Sequence, residues 1–375
     1  MSTVLFIGPA TNVYGGFNKG GVAQCVSNTV GLARNVDLLP TGRFLRAKRD
    51  EPRVIGYHLT LHRCLLFIKT LFLCVPFLKE ISKPRLIFKN VFLLFRCCFS
   101  KVSLKGYATI HIHGLDNFPY ALIRHLQSKN DEGFNVKIVL TVHSYHMMES
   151  DSSYFSAFNK YFLLCDHVIH VSHADYERSC ALGFRLPRKV VHNFTSFSPQ
   201  LSRNEFFSKA IDFIFVGSDI PRKRFELFFE LAGHFPSRRS VALGFSRHIQ
   251  GVEVLGYKEN SIALKYMADS KTLVVPSLRE SFGLVYVEAL CSGSRVIGYK
   301  DVIEEFLGLC PSILGLVSFI GPADGKDELV MVVNDLEMQQ YPYEKYREVY
   351  ADLKSRFGAR NHFSMLNLFY NIELD

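Results

Sequence analysis

Two glutamates, Glu280 and Glu288, bracket the stretch ESFGLVYVE with seven residues between them, just downstream of the apolar run Thr272–Ser277. The pattern predicts a strand, a polar loop with one acid, and a helix that opens at Phe282-Gly283 and carries the second acid. A helix N-terminus offers unpaired N–H groups and the positive end of its dipole to an anion. A carboxylate on either side can accept hydrogen bonds from hydroxyl groups. The arrangement therefore suits a ribose, a diphosphate and a hexose in a row. The spacing alone occurs by chance in many helices; its strand, Pro276-Ser277 and loop context makes it specific.

Other residues could serve the same chemistry. Phe215-Val-Gly217-Ser218 runs into Pro221-Arg222-Lys223-Arg224, where Lys is a point charge and Arg a planar fork for phosphate oxygens. A solvated basic turn fits those residues equally well. Histidines stand at two predicted strand ends, His111 and His113 in one, His143 and His146 in the other. They suit hydrogen bonds to a sugar or phosphate; a metal would need a third ligand, and none is indicated. Structural histidines are the alternative, more so for His111 than for His143. Near the N-terminus, Pro9–Gln24 holds Gly15, Gly16, Gly20 and Gly21, and a helix is predicted to open at Gly21-Val22, where backbone can approach a ligand. This is not the GxGxxG fingerprint, and a plain flexible loop fits as well.

The elements that must position these residues read as short apolar strands alternating with helices. The strands are expected at Val4–Gly8, Thr109–His113, Lys137–His143, His167–Ser172 and Lys189–Asn193, then at Asp212–Gly217, Ser240–Phe245, Val252–Gly256, Thr272–Ser277 and Ser294–Tyr299. Near-continuous apolar strands between helices imply parallel sheets covered on both faces. Ligands of such sheets sit beyond the carboxyl ends of the strands. A chain of 375 residues exceeds one ordinary core. The polar, proline-containing segment 195–204 is the expected linker between two doubly wound α/β domains with a cleft between them. Hydrophobic residues at 48% and charged residues at 21% are globular values. The nine cysteines form no CxxC pair and sit mostly in apolar runs, as reduced core residues in a cytosolic setting do. Met1–Gly8 shows no basic n-region or cleavage site and reads as a first strand.

Charge is unevenly placed. Residues 1–200 hold 24 Lys and Arg against 12 Asp and Glu, whereas residues 201–375 carry a small negative excess. The N-terminal half should therefore seek a negative partner. Nucleic acid explains this poorly, because no nucleic-acid motif is present and the cations interleave with Leu and Phe runs. The stretch 57–101 contains two apolar runs and carries eight Lys/Arg and one acid, Glu80. Pro76 and Lys69 interrupt the first, so neither is expected to span a membrane. On a helix Arg85, Lys89 and Arg96 fall on one stripe, which suits a helix in the headgroup layer of an anionic membrane. Ordinary core helices are the alternative.

Together these features resemble glycosyltransferase family four, retaining nucleotide-sugar-dependent enzymes of the GT-B fold. The resemblance runs in order through Gly20-Gly21, His111–Gly114, Thr141–His143, Ser172, Asn193, Phe215–Gly217 with Pro221–Lys223, Gly256, Pro276-Ser277, Glu280–Gly283 with Glu288-Ala289, Gly293, and Phe363-Ser364 to Phe369-Tyr370. It implies an N-terminal acceptor domain over 1–195, a nucleotide-sugar domain over 205–355, and a helix over 356–375 that packs back on the first domain. It further implies that Glu288 holds the ribose, that Glu280 sits at the donor sugar, and that the Ser281, Phe282, Gly283 and Leu284 backbone lies around the phosphates. Lys223 would stabilise the leaving group, His143 would contact the transferred sugar, Gly217 and Gly20 or Gly21 would approach the phosphate, and no metal or other cofactor would be needed. The family usually has Arg where Ser218 stands, so Arg222 or Arg224 is expected to supply that cation. Asn193-Phe194 replaces the usual Asn-Gly, and the loop Lys300–Glu305 lacks its common glycines.

The expected activity is transfer of a hexose from a UDP-sugar, or a GDP-sugar, to a lipid-linked or lipopolysaccharide acceptor, with retained anomeric configuration. The expected place is the cytoplasmic face of the inner membrane, as a peripheral protein. The competing readings are a sugar-nucleotide epimerase of similar architecture and an inactive component of a membrane-surface assembly.

Overall fold

The computed structural model describes residues 4–9, 20–41, 55, 60–100, 104–128, 135–195, 197, 200–244 and 246–370. Gly15 and Gly16 of the glycine-rich loop lie outside them. The chain divides into two compact units, one formed by Met1–Asn193 with His362–Asp375, the other by Phe194–Asn361.

The first unit runs β1 (Val4–Gly8), α1 (Gly21–Leu32), β2 (Val36–Pro40), α2 (Leu61–Leu78), α3 (Pro84–Phe99), β3 (Thr109–His113), α4 (Tyr120–Ser128), β4 (Lys137–Val142), α5 (His146–Ser150), α6 (Tyr154–Phe162), β5 (His167–His170) and α7 (His173–Ala181). Its strands form one parallel sheet in the order β2-β1-β3-β4-β5. Every residue of β1 and β3 is buried, as a sheet covered on both faces requires. Two strand assignments differ from expectation. Val36–Pro40 pairs with β1 although Asp37 interrupts its apolar run; Tyr107 Oη donates to that carboxylate at 2.8 Å. Lys189–Asn193 forms only an isolated bridge, His170 to Val190.

The segment 57–101 also differs. Arg96 is buried, donates to the Pro40 carbonyl at 3.4 Å and lies 4.8 Å over the Phe92 ring. Lys89 pairs with Asp116, so of the expected basic stripe only Arg85 is exposed. The reason is packing: α3 places that side of its C-terminal half against the end of β2. Pro76 does not interrupt α2, which continues to Leu78. A proline so close to a helix end removes little internal hydrogen bonding. Among the described residues α2 is the one helix long and apolar enough to cross a membrane by length and composition, with mean hydropathy 1.7.

The second unit runs α8 (Arg203–Phe207), β6 (Ile211–Val216), α9 (Phe225–His234), β7 (Ser240–Leu243), β8 (Glu253–Val254), α10 (Asn260–Ala268), β9 (Ser270–Val274), α11 (Leu284–Cys291), β10 (Arg295–Gly298), α12 (Lys300–Leu309), β11 (Val317–Phe319), α13 (Lys326–Met338), α14 (Tyr343–Phe357) and the start of α15 (Ala359–Asn367). Its parallel sheet has the order β11-β10-β9-β6-β7-β8. β11 was not foreseen: three half-buried residues at a sheet edge leave little pattern to read.

From His362 the chain belongs to the first unit. Leu366, Phe369 and Tyr370 join the core formed by Val4, Phe6 and Val26, and the His362 ring contacts the His192 carbonyl at 2.9 Å. The return of the C-terminus is thus fixed by apolar burial and two polar ties, the second being Tyr370 Oη on His111. None of the nine cysteines is in a disulfide.

Candidate active site

In an open parallel sheet the crevice lies where the strand order reverses, because the connections on its two sides diverge. In the second unit β7 follows β6 to one side and β9 lies on the other. The loops after β6 and β9 therefore flank that crevice, and they contain Lys223 and Glu280. The two loops are tied together: the Leu278 amide donates to the Arg222 carbonyl at 2.7 Å, and Arg222 donates back to the Arg279 carbonyl at 2.8 Å.

At the junction Lys223 and Glu280 form a buried ion pair. Ser277 Oγ donates to the same carboxylate oxygen at 2.9 Å, and the Arg222 guanidinium stands 3.6 Å away. Burial pushes the Glu280 pKa up, but the Lys223 and Arg222 charges and the hydrogen bonds outweigh it and hold the carboxyl below its usual range. The group is an ionised acid beside a cation, as phosphate or sugar chemistry needs. Arg224, expected as a candidate for the missing cation, has another role. It donates to the carbonyls of Pro276, Pro322 and Asp324 at 2.7, 3.3 and 3.1 Å. It also has φ 44°, the left-handed region that a residue with a side chain adopts rarely. Arg222, more than one-third exposed, is the cation that borders the pair.

Behind this pair, Gly283 has φ 70° and caps α11. A Cβ there would lie 2.5 Å from the buried Tyr286 ring, and one at Gly298 would lie 2.7 Å from it. Tyr286 fills the space beneath the crevice and its hydroxyl receives the Tyr299 amide at 3.1 Å. The Phe282 side chain points into the core against Phe306 and Phe357, so only its backbone faces the loop. Ser281 and Leu284 are half-buried. Gly217 follows β6 with its amide on the Leu243 carbonyl, and Gly244 comes so close that a Cβ there would meet the Gly217 oxygen at 2.1 Å.

Glu288 stands on the inner side of α11, also buried. Thr195 and Asn260 donate to its Oε1 at 2.8 and 2.9 Å. Burial raises its pKa despite those two donors. Beside the β6 loop, Arg247 makes a two-nitrogen ion pair with Asp219, next to Ser218. It also lines a shallow pocket of about 520 Å³ with His248 and Gly256. Thr195, Asn260 and Arg247 were not foreseen. No short-range pattern links them to their partners, whereas the Ser277-x-x-Glu280 spacing was a readable signal.

The first unit reverses its strand order between β1 and β3, and there the described residues bring neutral histidines together. His113 Nδ1 and His143 Nε2 lie 3.2 Å apart, with His111 bonded to Thr141 at 2.7 Å. Among the described residues, His113 Nε2 and His143 Nδ1 have no hydrogen-bond partner. Burial, then the neighbouring His362, pushes the His143 pKa down to about 3. Burial and the other histidines push His111 and His113 well below their usual value. His146, by contrast, is exposed and bonded to Ser144. Gly20 caps α1 without a side-chain bond, and together with Gly21 it is exposed.

No family model and no curated protein matches this sequence. Solved structures do match. HepE of Anabaena, in complex with UDP, is 15% identical with a TM-score of 0.63, covering 98% of both chains. Sucrose-phosphate synthase of Thermosynechococcus elongatus gives the same identity, score and coverage. TarM of S. aureus, in a complex that includes UDP, is 16% identical with a TM-score of 0.51, covering 70% of this chain; the chain spans only 55% of that protein. At these identities the likeness concerns the fold, and the fold is that of the GT-B glycosyltransferases: two parallel-sheet α/β units with the C-terminus returned to the first.

Proposed function

We propose that the protein is a retaining glycosyltransferase of family four that moves a hexose from a UDP-sugar, or a GDP-sugar, to a hydroxyl of a lipid-linked or lipopolysaccharide acceptor. The observation that carries this reading is the buried Lys223–Glu280 pair with Ser277 at the strand-order reversal of the second unit. Two loops bonded backbone to backbone hold one cation and one ionised acid there, preorganised for a diphosphate next to a sugar. That HepE is known with UDP and with UDP-glucose supports the same donor class.

In this reading Lys223 and Arg222 meet the diphosphate, together with the backbone at Gly283 and Leu284 where α11 opens. Glu280 faces the donor sugar. Thr195 and Asn260 fix one oxygen of Glu288 and leave Oε2 to accept from the ribose. The pocket beside Arg247 has room for the nucleoside. The bond from the anomeric carbon to the phosphate oxygen breaks, and the acceptor oxygen attacks that carbon from the same face. Its proton passes to the departing phosphate oxygen. Lys223 and the helix N-terminus take up the developing charge without a metal. His143 borders the acceptor side as a neutral hydrogen-bonding group. Work at the cytoplasmic face of the inner membrane follows from a lipid-linked acceptor.

A thermal-shift series with UDP-, GDP- and ADP-sugars tests the donor, because a true donor stabilises the fold by mass action. Stabilisation by none of them, with no nucleoside diphosphate binding by calorimetry, would sink the reading in favour of an inactive assembly component. Incubation with donor alone that yields an epimer would favour the epimerase reading. An inverted anomeric product would sink the retaining mechanism.

A further inference from the structure

Helix α2 has two apolar faces. Its inner face buries Cys74 and Leu78 in the first unit's core, with Cys64, Phe67, Leu71 and Phe77 packed against that core. Its outer face presents Leu61, Leu65, Ile68, Phe72 and Val75, with relative exposures of 77, 59, 49, 73 and 36%. On a helix of 3.6 residues per turn these five fall within an arc of about 80°. Only 11% of the helix is buried although its mean hydropathy is 1.7. A helix apolar all round is found where both faces are covered, by protein or by lipid.

We infer that the outer face of α2 enters the outer layer of an anionic lipid leaflet, with the helix lying in the membrane plane. Charge selects this occupant. Lys69 on α2 and Lys79 at its C-terminal end are exposed beside the apolar stripe, and Arg85 at the start of α3 is exposed as well. The one acid in residues 60–100, Glu80, accepts from Tyr120. An apolar stripe fringed by cations and free of competing acids fits acyl chains beneath anionic headgroups, with the lysine stems reaching outward. A second copy of the same face would bring like charges together. Crossing the bilayer would strip Cys74 and Leu78 from the core. It would also undo the anchoring of Arg63 on the Cys98 and Ser100 carbonyls. The basic stripe expected on α3 does not carry this contact, since Arg96 is buried and Lys89 is paired. Insertion by α2, rather than charge on α3, does.

The inference does not depend on sugar transfer, because its test contains no donor. The chain has no tryptophan, so Phe72→Trp places a single reporter on the stripe, and Met338→Trp, exposed in the second unit, is the control. With vesicles of phosphatidylcholine and phosphatidylglycerol, the emission of F72W should shift to the blue and be quenched by brominated acyl chains, while M338W stays unchanged. Wild-type protein should remain bound in 0.5 M salt. Leu65→Ser with Phe72→Ser should lower vesicle partitioning about 100-fold, two large side chains no longer being buried, with an unchanged melting temperature. Unaltered partitioning of that double variant, or no F72W shift, overturns the inference. So does a wild-type dimer that the double variant converts to a monomer, or a membrane-bound protein that only detergent releases.

Discussion

Both units are doubly wound parallel sheets, one of five strands and one of six, and they differ in what they place at the point where strand order reverses. The second unit holds ionised groups, with Glu280 between Lys223 and Arg222. The first holds neutral imidazoles, His113 on His143, kept neutral by burial. One parallel sheet therefore supports opposite electrostatics, because the loops beyond its strands are free to vary while the strands are not. A charged crevice can take a diphosphate; a neutral one can accept and donate hydrogen bonds to hydroxyl groups without binding anions.

The largest effect should come from removing the cation of the charged crevice. Lys223→Ala should lower the transfer rate about 100- to 1000-fold and also lower the melting temperature, because Glu280 would stay buried without its partner. Adding Glu280→Gln should restore much of the stability and none of the activity. Kinetics and calorimetry on both variants break the contrast if Lys223→Ala alone is silent in either measurement.

Acid should separate the units next. His143 is held down at about 3 and His170 and His362 at about 4, against an ordinary value of 6.5. The unfolded chain therefore binds more protons than the native one below 6.5, and the first unit loses stability as pH falls from there toward about 4. Glu280, with a lowered pKa, loses its contribution only below its ordinary value of 4.5. Glu288, with a raised pKa, favours the native state as pH falls. Between pH 6.5 and 5, hydrogen exchange should show the first unit opening and the second protected. Equal loss in both would refute the assignment.

Smaller effects should sharpen the same contrast. Gly283→Ala should cost about 1–3 kcal/mol, with a left-handed backbone and the Tyr286 ring at 2.5 Å from the new Cβ. Gly20→Ala, with nothing within 4 Å of its Cβ, should change the melting temperature little. The smallest pair distinguishes neighbouring arginines. Arg224→Ala should lower stability by about 2 kcal/mol through lost carbonyl bonds and leave donor affinity nearly intact. Arg222→Ala should do the reverse, raising KM for the donor.

Much of this was legible in the chain. Runs such as Val4–Gly8 and Thr109–His113 identified parallel strands because strands buried on both faces must be apolar throughout. Gly217 and Glu280 lie in the loops after β6 and β9, Gly283 caps α11 and Glu288 stands on it, so the strand-loop-helix pattern around them was readable at short range. The edges were less legible: β2 is broken by Asp37, β11 is three residues long, and Lys189–Asn193 pairs only once. The exposed stripe on 85, 89 and 96 was misread, because periodicity says which residues share a face but not which face meets the core.

The sequence by itself determined the alternation of strands and helices, the two-unit division, and the Glu280-to-Glu288 block, all products of local pattern and chain length. Tertiary structure alone decided the partners. It placed Lys223 on Glu280, Thr195 and Asn260 on Glu288, Arg224 on three carbonyls, and the apolar stripe of α2 at the surface. Each of those contacts joins segments of the second unit whose separation carries no periodic signal, so it exists only once that unit's own sheet has brought its loops together.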